Sequence, residues 1–221
     1  RAIAALALLA PTAPLLAQEA EADPAVTVTG GVTLTTDYRF RGISQSAEDL
    51  AVQGTINVNH ESGLYAGAWA SSIDEETIAY GHTELDLYAG WTGEVASGLT
   101  ADVGLLYYVY PNASSALDSD FFEVYGSLKG TLGPATVKVG TNYAWSQNGT
   151  FNNDNVYLYT DVSVGIPETP LTLVGHYGYS DGSLAQYNTA AAGIPLDGEY
   201  TDWAVGFDVA LAPLTLGIRY V

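Results

Sequence analysis

The sequence contains no cysteine and no methionine, and its six Lys and Arg stand against 25 Asp and Glu. Without cysteine there is no disulfide framework, thiolate metal site or cysteine nucleophile. A formal charge of −19 argues against nucleic acid, whose phosphates demand clustered Lys and Arg. It argues equally against electrostatic attraction to an anionic membrane surface. Long apolar runs are also missing. Beyond the N-terminal region no stretch approaches the roughly 18 apolar residues of a transmembrane helix, so none is predicted.

Glycine and tyrosine are abundant instead, at 24 and 16 residues, a mixture that suits strands and turns better than helices. The opening RAIAALALLAPTAPLLAQEAEADP has a basic start, an apolar run and a small-residue end. That pattern is read as a secretory signal peptide and short leader over residues 1–22, its n-region incomplete, with cleavage after Ala17 or Ala22. Residues 23–221 form the second unit.

From Asp23 onward the pattern has period two. In LTADVGLLYYVY, Leu99, Val103, Leu105, Tyr107 and Val109 share one face, and Thr100, Asp102, Gly104 and Tyr108 the other. TDWAVGFDVAL alternates in the same way, with Trp203, Val205, Phe207 and Val209 against Asp202, Ala204, Gly206 and Asp208. Eleven strands are predicted: 26–40, 50–60, 64–72, 82–93, 99–110, 121–131, 135–147, 155–166, 170–180, 201–211 and 213–221. Most have the length of about 9–11 residues that a membrane-spanning strand needs.

The connections alternate between short and long. Short turns fall at 60–63, 95–98, 132–134, 167–170 and Ala212-Pro213, and long polar loops at 41–49, 73–81, 111–120, 148–154 and 181–200. Outer-membrane barrels have this asymmetry of short periplasmic turns and longer outside loops. Tyr38, Phe40, Tyr107, Phe122, Tyr143, Trp145, Tyr177, Tyr179, Trp203 and Tyr220 share parity with the apolar face near the long-loop ends, and Trp91 lies at the opposite end. They are read as an aromatic girdle at the lipid–water boundary. The predicted fold is all-β, a transmembrane antiparallel up-and-down barrel of about twelve strands. Eleven strands are visible, and a closing C-terminal strand is expected beyond Val221 because lipid tolerates no unpaired edge.

Charge on the lipid face costs about 2–4 kcal/mol at mid-depth, so the charged positions are assigned to the lumen. The assigned residues are Asp37, Arg39, Arg41, Glu84, Asp86, Asp102, Glu123, Lys129, Lys138, Asp161, Asp202, Asp208 and Arg219. Arg39 and Arg41, in DYRFRGISQS, can brace the outer mouth by pairing with carboxylates or form a charge-selective constriction, and the two readings are compatible. Small inward residues such as Gly104, Gly140 and Gly206 argue for a water-filled gap, and inward Tyr65, Trp69, Tyr108, Tyr125, Tyr157 and Tyr159 for a narrow one.

Enzymatic chemistry is not expected. His176 is the one histidine well inside a strand, and no G-x-S-x-G elbow accompanies it. The acidic triplets Asp74-Glu75-Glu76 and Asp118-Ser119-Asp120 lack the spacing of a calcium loop and are read as solvated charge. No metal or cofactor is expected.

TTDYRFRGISQS, GLYAGAWASSID and ELDLYAGW together resemble the TorF family of porin-like proteins, also called the Gcw_chp group of proteobacteria. The resemblance implies a porin-like role in the bacterial outer membrane, and with the narrow polar lumen the expected function is passive diffusion of small hydrophilic solutes or ions. Outer-membrane lipid and lipopolysaccharide would be its surroundings. The alternative is a closed, side-chain-filled barrel with a structural or surface-adhesion role through acidic outer loops, chiefly 181–200.

Overall fold

The computed structural model describes residues 2–8 (backbone only), 25–78, 80–114, 118–182 and 198–221. The expected cleavage points after Ala17 and Ala22, and most of the 181–200 loop, lie outside the described residues.

The described residues form a large antiparallel β-sheet, a separate two-stranded hairpin, a helical turn, α1 (Glu75–Ile78), and a 3-10 turn at Asn148–Thr150. The strands begin with β1 (Ala2–Leu8) and β2 (Val26–Thr35), followed by a small hairpin of β3 (Arg39–Phe40) and β4 (Ile43–Ser44). Then come β5 (Ala51–His60), β6 (Leu64–Ser72), β7 (Thr83–Ala96), β8 (Leu99–Val109) and β9 (Phe121–Leu132). The remainder are β10 (Ala135–Ala144), β11 (Asn155–Gly165), β12 (Leu171–Gly182), β13 (Glu199–Leu211) and β14 (Leu214–Tyr220).

From β5 to β14 each strand pairs with its sequence neighbour, and β2 pairs with β5. The backbone of β1 lies between β14 and β2, with Ala2 opposite Tyr220 and Leu8 opposite Val32. The strand between β14 and β2 is expected from beyond Val221, but the segment that pairs there is Ala2–Leu8, within the residues read as the leader. The short turns are tight because glycine supplies left-handed backbone, as at Gly63 (φ 89) and Gly98 (φ 74).

One predicted strand is corrected. The first was expected to run from 26 to 40, but it leaves the sheet at Thr35 and turns into the β3–β4 hairpin. Asp37 causes the break. Ser44 donates to its Oδ1 at 2.5 Å and Arg39 to its Oδ2 at 2.6 Å, so the local side-chain bonds close a turn that competes with the ladder.

The two faces of the sheet differ sharply. Val28, Val32, Ile56, Leu87, Val103, Leu105, Val139, Leu158, Leu173, Val205 and Ile218 all stand exposed on the outer face. The largest fully buried side chains are Glu84, Glu123, Asn155 and Ser180 on the inner face, with Thr150 in the 3-10 turn. A water-soluble domain has the reverse arrangement. A small apolar cluster, Tyr108, Phe121 and Ala144 with Phe40 packed on it, is also on the inside.

Candidate functional site

The register brings the charged residues to one face. Trp69 stands opposite Asp86, Asp86 opposite Tyr108, and Leu106 opposite Glu123. Lys129 is paired with Lys138, Lys138 with Asp161, Asp161 with His176, and Asp208 with Gly217. All thirteen charged positions assigned from the sequence therefore lie on the inner face or on the hairpin that folds over it.

The hairpin reaches across the inside. Its turn uses left-handed backbone at Arg41 (φ 48) and Gly42 (φ 81), and a side chain at Gly42 would collide with Asp202 on β13. Arg41 Nη2 lies 2.6 Å from Glu123 Oε1, and the two side chains are 5% and 0% exposed. The guanidinium sits 4.6 Å from the Phe40 ring centroid and 4.5 Å from that of Tyr157. Burial works against its charge, but Glu123 outweighs that and holds the Arg41 pKa above its usual value. Tyr108 Oη donates to Glu123 at 2.8 Å and Asn142 Nδ2 at 3.3 Å, which satisfies the carboxylate further. Arg39 is committed differently, donating to Asp37 and, at 2.7 Å, to the Gly42 carbonyl.

Tyr38 and Phe40 are corrections. Both were expected on the outer girdle, yet Tyr38 Oη donates to Glu84 at 3.1 Å and its ring meets Trp69 at 5.3 Å. Burial first, and then Glu84 and Asp86, push its hydroxyl pKa well above the usual range, which keeps it a donor. Phe40 packs edge-on against Tyr108 at 5.8 Å. Strand parity does not apply to them because they belong to the hairpin. The other girdle positions are on the outer face. Tyr107, Phe122 and Trp145 stack in a row, with centroids 4.2 and 6.1 Å apart. Tyr143, Tyr177, Trp203 and Tyr220 are exposed, and Tyr179 shares the outward parity of Tyr177. At the other end Trp91 Nε1 donates to the Ser62 carbonyl at 2.9 Å.

The small inward residues do not all leave free space. Tyr125 is paired with Gly104, Tyr159 with Gly140, Tyr65 with Gly90 and Tyr88 with Gly67. In each case the phenol ring lies where a glycine Cβ would be. The rings are thus laid against the wall, an aromatic cover over glycine. Tyr88 was missed in the sequence, although it shares the parity of Glu84 and Asp86.

Cavities lie along the inside. One of about 420 Å³ lies against Tyr38, Phe40, Trp69, Asp86 and Tyr88, and one of about 360 Å³ against Arg39, Arg41, His176 and Asp202. A third of about 350 Å³ is bordered by Lys129, Lys138, Asp161, His176 and Arg219. Arg219 is paired with Asp208 at 2.8 Å. His176 is held by Asp161 at 2.6 Å, by Asp202 at 3.0 Å and by the Tyr157 hydroxyl at 2.9 Å. The imidazole is thereby clamped at both ring nitrogens by carboxylates. Asp102 accepts from the Tyr65 hydroxyl at 2.5 Å. Among the described residues no group of three or more His, Cys, Asp or Glu is placed to hold a metal ion.

The arrangement gives a polar, charged interior narrowed by a hairpin and wrapped in an apolar outer surface. No curated protein matches the chain. The model of a family described as bacterial proteins of unknown function (Gcw_chp) matches residues 19–221, and the chain belongs to that family.

Proposed function

We propose that the sheet is an outer-membrane β-barrel, exported by its leader, through which small hydrophilic solutes or ions diffuse. The observation that carries this is the inversion of the sheet. Its outer face is aliphatic with aromatic rows at the strand ends, and its inner face carries the charge. β14 and β2 lie close enough for one strand to pair with both, as β1 of the leader does, and lipid tolerates no unpaired edge. The resemblance to TorF-family porin-like proteins points the same way. Lipid and lipopolysaccharide are then the surroundings, and the interior cavities mark the passage.

A second reading draws on the hairpin. Arg41, Phe40 and Gly42 reach from the β2–β5 side to Glu123, Tyr108 and Asp202. Such a crossing suits a filled barrel with a structural role at the cell surface. Single-channel recording of the full-length protein in a planar bilayer separates the two. The channel predicts discrete steps whose reversal potential in a salt gradient shifts when Arg39 and Arg41 are both replaced by Ala. A folded protein that inserts and never conducts would favour the filled barrel.

A further inference from the structure

The cavity of about 420 Å³ between the hairpin and β6–β9 has an unusual wall. Trp69, Tyr38, Phe40, Tyr88 and Tyr108 present aromatic surface to it, and Asp86 contributes the single carboxylate. Asp86 is 9% exposed, and its Oδ1 is buried without a hydrogen-bond partner. Buried polar atoms are nearly always satisfied, so an unpartnered carboxylate oxygen on a residue that lines a cavity marks a missing partner.

The distribution of charge shows what kind of partner is missing. Glu84, Asp86 and Glu123 are all buried around this level. Arg41 is spent on Glu123 and Arg39 on Asp37, while Glu84 receives only the neutral phenol of Tyr38. No described Lys, Arg or His forms an ion pair with Glu84 or Asp86. A bare metal ion would need several converging oxygen or nitrogen ligands, and no such group is found among the described residues. Aromatic faces answer to a soft, weakly hydrated cation, because ring quadrupoles attract positive charge without replacing a tight water shell.

We infer that this cavity binds a small organic cation of the alkylammonium class, seated against Trp69 and its aromatic neighbours with its charge facing Asp86. The cation gives Asp86 the partner that Arg39 and Arg41, committed to Asp37 and Glu123, do not supply. It also gives a purpose to the inward turn of Tyr38 and Phe40, which form the outer side of the cage. The inference uses the channel reading only for the route by which the cation arrives.

The test is calorimetric titration of the folded full-length protein in detergent with tetramethylammonium chloride, alongside sodium chloride and the neutral analogue tert-butanol. Saturable binding of tetramethylammonium alone is expected, weakened at least tenfold by Asp86→Asn. If that variant does not fold, Trp69→Leu, which keeps the carboxylate, carries the same tenfold expectation. Absence of saturable binding, equal binding of tert-butanol, or unchanged affinity in the folded variants overturns the inference. Bilayer recording keeps the two readings apart. Conductance without binding removes the cation site and leaves the channel, whereas binding without conductance leaves the site inside a closed barrel.

Discussion

Arg41 and Glu123 are 82 positions apart in sequence and meet at 2.6 Å inside the sheet. Removing one partner of a buried pair strands the other charge and costs about 3–5 kcal/mol. Arg41→Ala is therefore expected to lower the melting temperature strongly. Glu123→Gln in the same chain should restore part of the loss, and a double-mutant cycle in denaturant melts measures the coupling. Lys129 and Lys138 pose the opposite case. They stand directly across from one another, and no described carboxylate forms an ion pair with either, although Lys138 Nζ lies 5.3 Å from the Tyr159 ring centroid. Like charges opposed on neighbouring strands repel, by roughly 0.2–1 kcal/mol. Lys129→Ala should leave stability unchanged or slightly higher and move ion selectivity toward cations, read from the reversal potential.

At the scale of the element, the β3–β4 hairpin folds over the inner face and reaches Glu123 and Asp202. Gly42 allows this twice, through its left-handed backbone and by leaving room for Asp202. Gly42→Val introduces strain and a collision together, so the hairpin tip should lift from β13. Larger conductance steps with the strands intact by circular dichroism are the expected outcome; unchanged steps would mean the tip does not limit the passage. The hairpin is also the element least legible in the sequence. Strand positions were readable because each inner or outer residue repeats every second position, and that period survives from Thr83 to Val109 with one break at Glu94/Ala96. DYRFRGISQS continues the same alternation by chance of composition. Only the bonds around Asp37, made by Ser44 and Arg39, show that the chain has left the sheet. The inward charge of Glu84, Asp102 and Asp161 was visible from parity alone. Which tyrosine covers which glycine was not, since that depends on register between strands and not on order within one.

For the whole molecule, stability is arranged from the outside in. Apolar side chains face outward, and the polar inside is held by ion pairs and phenol bonds, as in Arg41–Glu123, Tyr65–Asp102 and His176–Asp202. The backbone ladder supplies the remainder, pairing strand to strand from β2 through β14. Charge is distributed along the interior as well. Carboxylates dominate near the hairpin, whereas Lys129, Lys138 and Arg219 border the cavity on its far side. Within this interior the phenol rings of Tyr125 and Tyr159 rest on Gly104 and Gly140 of the adjoining strands. The space on the inner face is thereby set by residues hidden behind the rings. Giving either glycine a side chain would tip a ring off the wall like an opened shutter, so this face can be reshaped from behind without altering a single one of the rings.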